Sequence, residues 1–126
     1  MPRLLIVEDE EPLRDSFSLI LSTLPYESDI AANGKIALEM CQRSTYDLIL
    51  LDLMMPVMDG VGFLKELLRI PNHARIIVMS NLSSSKLLEK ALELGVHGSV
   101  LKSDISPTQL VTLIRRELAS SNIPNK

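Results

Sequence analysis

Short aliphatic runs alternate along the chain with segments whose apolar residues recur every three or four positions. "LLIVE" (Leu4–Glu8), "DLILLD" (Asp47–Asp52), "RIIVMS" (Arg75–Ser80) and "GSVLK" (Gly98–Lys102) read as strands, and "ESDIAA" (Glu27–Ala32) as a weaker one. Near-continuous apolar runs of this length suit strands covered on both faces. Helical spacing links Leu13, Phe17, Ile20, Leu21 and Leu24, then Ile36, Ala37, Met40 and Cys41, then Leu64, Leu67 and Leu68. It recurs at Leu87, Leu88, Ala91 and Leu92, and again at Leu110, Val111, Ile114 and Leu118. Pro12 and Pro107 suit the first turn of a helix. Ser106 suits an N-cap, and Asn33-Gly34 and Leu94-Gly95 mark boundaries.

The order is strand then helix, repeated through the chain. Buried strands joined by helices form a parallel sheet. Right-handed crossovers make it a doubly wound α/β sandwich of three layers. One domain is expected over residues 1–119, with a frayed tail over 120–126.

Composition narrows the function. A chain of 126 residues is the size of one domain, and 46% hydrophobic residues supply a core. Aromatics are only 3%, so that core is aliphatic. The net charge of −3 without a basic block argues against a nucleic-acid face. No stretch reaches the length of a membrane span. The apolar run Leu4–Val7 is too short for a signal peptide, so a cytoplasmic place is expected. Cys41 is the single cysteine, which excludes an internal disulfide; its neighbours place it in the core. His73 and His97 fall in loop-like contexts and receive no chemistry.

The strand ends carry the chemistry. The first strand closes on Glu8-Asp9, the third on Asp52, the fourth on Ser80 and the fifth on Lys102. In a parallel sheet these ends share one edge, and ligands of open α/β sheets bind outside that edge. Carboxylates gathered there repel unless a cation intervenes. The donors are all oxygens, which suits Mg²⁺ or Mn²⁺ and not Zn²⁺. A metal, a lysine and a hydroxyl around one carboxylate is a phosphoryl-transfer arrangement. Asp52 would then be the nucleophile and form an aspartyl phosphate. Each residue also has an ordinary reading. Glu8, Asp9, Glu10 and Glu11 form a charge run favourable to a helix N-terminus. Ser80 is a helix cap on that view, and Lys102 a surface lysine. Those readings leave the position of Asp52 unexplained.

With "VED" (Val7–Asp9), "LLDLMMPVMDG" (Leu50–Gly60), "VMS" (Val78–Ser80) and "VLK" (Val100–Lys102) in order, the chain resembles a response-regulator receiver domain of two-component signalling. The resemblance covers about the whole chain. It implies a flavodoxin-like sheet of order 2-1-3-4-5. It implies Mg²⁺-dependent transfer of a phosphoryl group from a phosphohistidine to Asp52. The donor would be a sensor histidine kinase or a histidine phosphotransfer protein. By the same resemblance Asp9 and Asp52 bind the metal directly, with the Met54 backbone carbonyl as third ligand and Glu8 acting through water. Ser80 and Lys102 contact the phosphoryl group, and Pro56 with Asp59-Gly60 shapes the loop. Such a protein is a switch that catalyses only its own phosphorylation and dephosphorylation. It acts on an unknown downstream protein through the fourth helix, fifth strand and fifth helix. Here that surface includes Lys86, Glu89, Lys90, Arg115 and Arg116. Phosphorylation-dependent homodimerisation is a further expectation, and neither nucleic acid nor membrane is an expected partner.

Several residues depart from the family pattern. Ser99 stands where the family often has an aromatic switch residue, and Asn81 where a small residue is common. Ser103 replaces the usual proline after Lys102. A cis bond before a non-proline costs about 3–4 kcal/mol, so the Lys102–Ser103 peptide is expected to be trans. Met54 and Leu82 occupy positions that tune the attacking water in the family. Neither side chain hydrogen-bonds a water well, so slow self-dephosphorylation is expected. Two other uses of the fold fit poorly. A flavin-type loop would not be "EDEEP", and no GxGxxG occurs. A haloacid-dehalogenase-like phosphatase needs a second Asp where Met54 stands. The remaining alternative is a phosphorylation-independent interaction module, and such relatives usually lose the acidic pair, the Asp or the Lys.

Overall fold

In the computed structural model, which describes residues 2–82 and 84–121, strands and helices alternate as expected. They are β1 (Arg3–Val7), α1 (Glu11–Leu21), β2 (Glu27–Ala31), α2 (Gly34–Arg43), β3 (Leu48–Asp52), α3 (Gly60–Leu67), β4 (Arg75–Ser80), α4 (Ser85–Glu93), β5 (Gly98–Leu101) and α5 (Pro107–Ser121). The strands form one parallel sheet of order β2-β1-β3-β4-β5. This is the flavodoxin-like, doubly wound arrangement that the resemblance implies.

The sheet has a core on each face because side chains alternate along a strand. Leu5, Val7, Ile49, Leu51 and Val78 join Ala37, Phe63, Leu64, Leu67 and Ala91 under α2, α3 and α4. Leu4, Ile6, Leu48, Leu50, Ile77 and Met79 pack against Phe17, Leu21, Leu110, Leu113, Ile114 and Leu118 of α1 and α5. Every residue of β3 is buried. Each such leucine or isoleucine contributes about 1.5–3 kcal/mol over leaving it in water, so β3 is the fixed axis of the molecule. Cys41 packs against the first core as expected, and burial pushes its thiol up to about 11.

Local signals account for the helix ends. Asn33 Oδ1 accepts from Ile36 N at 2.8 Å, and Asp59 Oδ1 accepts from Gly62 N at 2.8 Å. Ser106 and Gln109 form a reciprocal capping box: Gln109 N donates to Ser106 Oγ at 3.2 Å, and Ser106 N donates to Gln109 Oε1 at 3.1 Å. Two expectations shift. Leu24 keeps the spacing of α1, but the helix stops at Leu21 and Leu24 packs on the core from the following turn. The last helix was expected to end near Ala119 and continues through Ser121, since no breaker intervenes. The rest of the expected tail, 122–126, lies outside the described residues.

The loop after β3 is drawn tight. Gly60 N donates to Leu53 O at 3.0 Å. A Cβ on Gly60 would lie 2.8 Å from Leu53 Cα and 2.9 Å from Asp52 O, which only glycine avoids. The loop therefore returns directly over the end of β3 and holds Asp52 at the edge. Among the described residues no peptide bond is cis, in line with a trans Lys102–Ser103 bond.

Candidate functional site

Strand alternation and register together assemble the site. Glu8 continues the row of Leu4 and Ile6, Asp52 the row of Leu48 and Leu50, and Lys102 the row of Val100. Val7 pairs with Leu51, so one step further along Glu8 comes beside Asp52. Ser80 pairs with Leu101, one residue before Lys102. Lys102 opens a single 3-10 turn, Lys102–Asp104, which bends the chain as it leaves β5.

Lys102 Nζ donates to three carboxylates. It lies 3.1 Å from Glu8 Oε2, 3.0 Å from Asp52 Oδ2 and 2.9 Å from Glu10 Oε2. An ammonium has three protons, so these contacts use all of them. Glu10 N also donates to Glu8 Oε2 at 3.1 Å, and Met54 N to Asp52 Oδ1 at 3.2 Å. Arg14 of α1 holds the β1–α1 loop from below, with Nη1 2.7 Å from Asp9 O and 3.1 Å from Glu8 O.

Burial sets the electrostatics. Glu8 is fully buried and Asp52 is 2% exposed. Burial, followed by the negative charge of Asp52, pushes Glu8 up to about 7; the Glu10 amide and Lys102 oppose this. Burial also raises Asp52, against the pull of the Lys102 ammonium and the Met54 amide. Burial alone would lower Lys102, but its bonds to Glu10 and Asp52 outweigh that and hold it above the lysine range.

The donor set fits a hard cation. Glu8, Asp9 and Glu10 each offer a carboxylate oxygen, all within 4.8 Å of one another. Glu8 Oε1 is buried without a hydrogen-bond partner among the described residues. A buried, unpartnered carboxylate oxygen carries a desolvation cost that a divalent cation or its water would relieve.

The other expected residues fall as follows. Ser80 is buried at the end of β4. Met54 and Leu82 stand on the rim, 43% and 90% exposed. Ser99 is exposed and lines a groove of about 470 Å³ with Leu101, Ile105, Leu113 and Arg116. His97 is structural: its Nδ1 accepts from Ile76 N at 3.0 Å. Glu10 and Arg14 were not singled out from the sequence. Their only signal is the spacing of one helical turn directly after the acidic pair.

This fold and edge belong to a known class. Residues 4–115 match the response regulator receiver domain, and the chain belongs to that family of signalling switches. It is 40% identical over 104 residues to a protein-glutamate methylesterase/protein-glutamine glutaminase of Desulfotalea psychrophila, covering 79% of this chain and 29% of that protein. It is 32% identical over 93 residues to sporulation initiation phosphotransferase F of Bacillus subtilis, covering 74% of this chain and 75% of that one. A receiver domain protein (CheY-like) from Methanospirillum hungatei superposes with a TM-score of 0.85 at 27% identity, over 96% of each chain. The chain spans less than a third of the methylesterase and 53% of the probable transcriptional regulator ycf27 of Porphyridium aerugineum. Among the described residues no helix is long and apolar enough to cross a membrane.

Proposed function

We propose that this chain is a phosphoacceptor switch of a two-component system, with Asp52 as the residue that takes the phosphoryl group. The observation that carries the reading is a buried carboxylate 3.0 Å from a lysine ammonium at the carboxyl edge of the sheet. The phosphodonor is the phosphohistidine of a sensor kinase or phosphotransfer protein in the cytoplasm. An Asp52 carboxylate oxygen attacks phosphorus and forms an O–P bond. The N–P bond of the donor breaks, its electron pair stays on the imidazole nitrogen, and a neutral imidazole leaves if the other nitrogen is protonated.

Lys102 offsets charge on the phosphoryl oxygens and Ser80 donates to one of them. A bound Mg²⁺ or Mn²⁺ would neutralise further charge there, held by Asp9, Asp52 and the Met54 carbonyl, with Glu8 acting through water. Output passes to a downstream protein at the face of α4, β5 and α5, where Lys86, Glu89, Lys90, Arg115 and Arg116 are exposed. Pairing of two phosphorylated copies is a second output; sedimentation that stays monomeric with a phosphoryl mimic bound would argue against it.

The test is intact mass after incubation with acetyl phosphate and Mg²⁺. Gain of one phosphoryl group is expected, and none after chelation of the metal. No gain from any small donor or phosphohistidine protein would favour a phosphorylation-independent interaction module.

A further inference from the structure

We propose that Glu10 is a competitive latch on Lys102, a positioning residue that must release the ammonium before Lys102 can meet an incoming phosphoryl group. The inference rests on the phosphoacceptor reading of Asp52. All three ammonium protons are taken, by Glu8, Asp52 and Glu10. A phosphoryl oxygen at Asp52 therefore needs one of these bonds to open.

The three partners differ in what release costs. Glu8 and Asp52 are buried, and either carboxylate left without its cation stays desolvated. The Glu10 side chain is 58% exposed, so water rehydrates its carboxylate at once. Glu10 is thus the partner that exchanges. Its backbone stays in place because Glu10 N remains on Glu8 Oε2 and Glu10 O accepts from Arg14 N at 3.0 Å. The latch is a side-chain movement at the mouth of the cleft and leaves the loop unchanged. Its effect is to keep Lys102 charged and aimed at Asp52 between phosphorylation events, at the expense of the rate of uptake.

Glu10→Gln removes the competing charge with little change in shape. Glu11→Gln, the next residue, lowers the same net charge without touching Lys102 and serves as the control for attraction of an anionic donor. Each protein is assayed for acetyl phosphate uptake by intact mass, at Mg²⁺ concentrations shown to saturate it. Uptake by Glu10→Gln should rise about two- to fivefold, the range set by an exposed ion pair. The gain should lie in the half-saturating donor concentration, and Glu11→Gln should match the wild type. Nitrogen-15 NMR of the Lys102 ammonium, recorded without donor, should show faster proton exchange with water in Glu10→Gln only. Equal gains in both variants would overturn the latch in favour of general charge. A Glu10→Gln rate at or below wild type, or an unchanged Lys102 exchange rate, would also overturn it. A wild type that takes up no phosphoryl group would instead remove the phosphoacceptor reading, and the latch with it.

Discussion

The Lys102 ammonium lies 3.0 Å from Oδ2 of Asp52, over the end of β4, which separates their strands in the sheet. That contact offsets the buried charge of Asp52. Lys102→Met leaves Glu8 and Asp52 facing each other without a cation, at a cost of about 3–5 kcal/mol at pH 8. The cost should shrink at pH 5, below the value of about 7 to which burial raises Glu8, because a protonated Glu8 no longer repels Asp52. Urea denaturation at the two pH values measures it; an equal cost at both would contradict the account.

Glu8 makes the metal-free protein pH-sensitive. Burial, then the charge of Asp52, raises it to about 7 from an ordinary 4.5. The folded state therefore holds this proton more tightly than the unfolded state. The stability it contributes is complete below pH 4.5 and is lost as pH rises through about 7, a change on the order of 3 kcal/mol. Glu8→Gln should flatten that slope. A wild-type slope retained in Glu8→Gln would assign the sensitivity elsewhere.

Val57 adopts a φ of 73°, the left-handed region, and its side chain is 83% exposed. A β-branched residue is strained there, and burial gives nothing back. Val57→Gly should raise stability by about 1 kcal/mol, which corresponds to a melting temperature higher by about 3–5 °C. A lower melting temperature would mean that Val57 makes an apolar contact worth more than its strain.

Met54 and Leu82 line the rim with side chains that hydrogen-bond water poorly. The aspartyl phosphate should therefore be long-lived in purified protein. Met54→Asn with Leu82→Glu should speed its loss by about tenfold, less than full general-base assistance provides. Decay within seconds in the wild type, or an unchanged rate in the double variant, would count against this role.

Much of the fold and site was legible because the strongest signals are one-dimensional. The run Leu48–Leu51 is apolar without alternation and short, which suits a strand covered on both faces, and it ends on a carboxylate. The same logic placed Glu8 and Lys102 at the edge. Glu10 was not legible: an exposed glutamate before a helix reads as part of a solvated run, and its partner is distant in sequence. Arg14 was hidden because it binds backbone carbonyls, and carbonyls carry no sequence signature. Val57 gave no warning, since valine is the type least suited to its own backbone angle. Leu24 kept helical spacing outside a helix because a turn also delivers it to the core. Leu113 on the inner face of α5 is buried, whereas Val111, which shares the helical spacing of Leu110 and Ile114, is only half-buried.

The central claim is that Asp52 itself takes the phosphoryl group. Borohydride reduces an aspartyl phosphate to homoserine, which peptide mass mapping locates. After incubation with acetyl phosphate and Mg²⁺, reduction should convert residue 52 alone, and Asp52→Asn should yield no homoserine. Conversion at any other carboxylate in the wild type, or phosphoryl uptake undiminished in Asp52→Asn, would contradict the account.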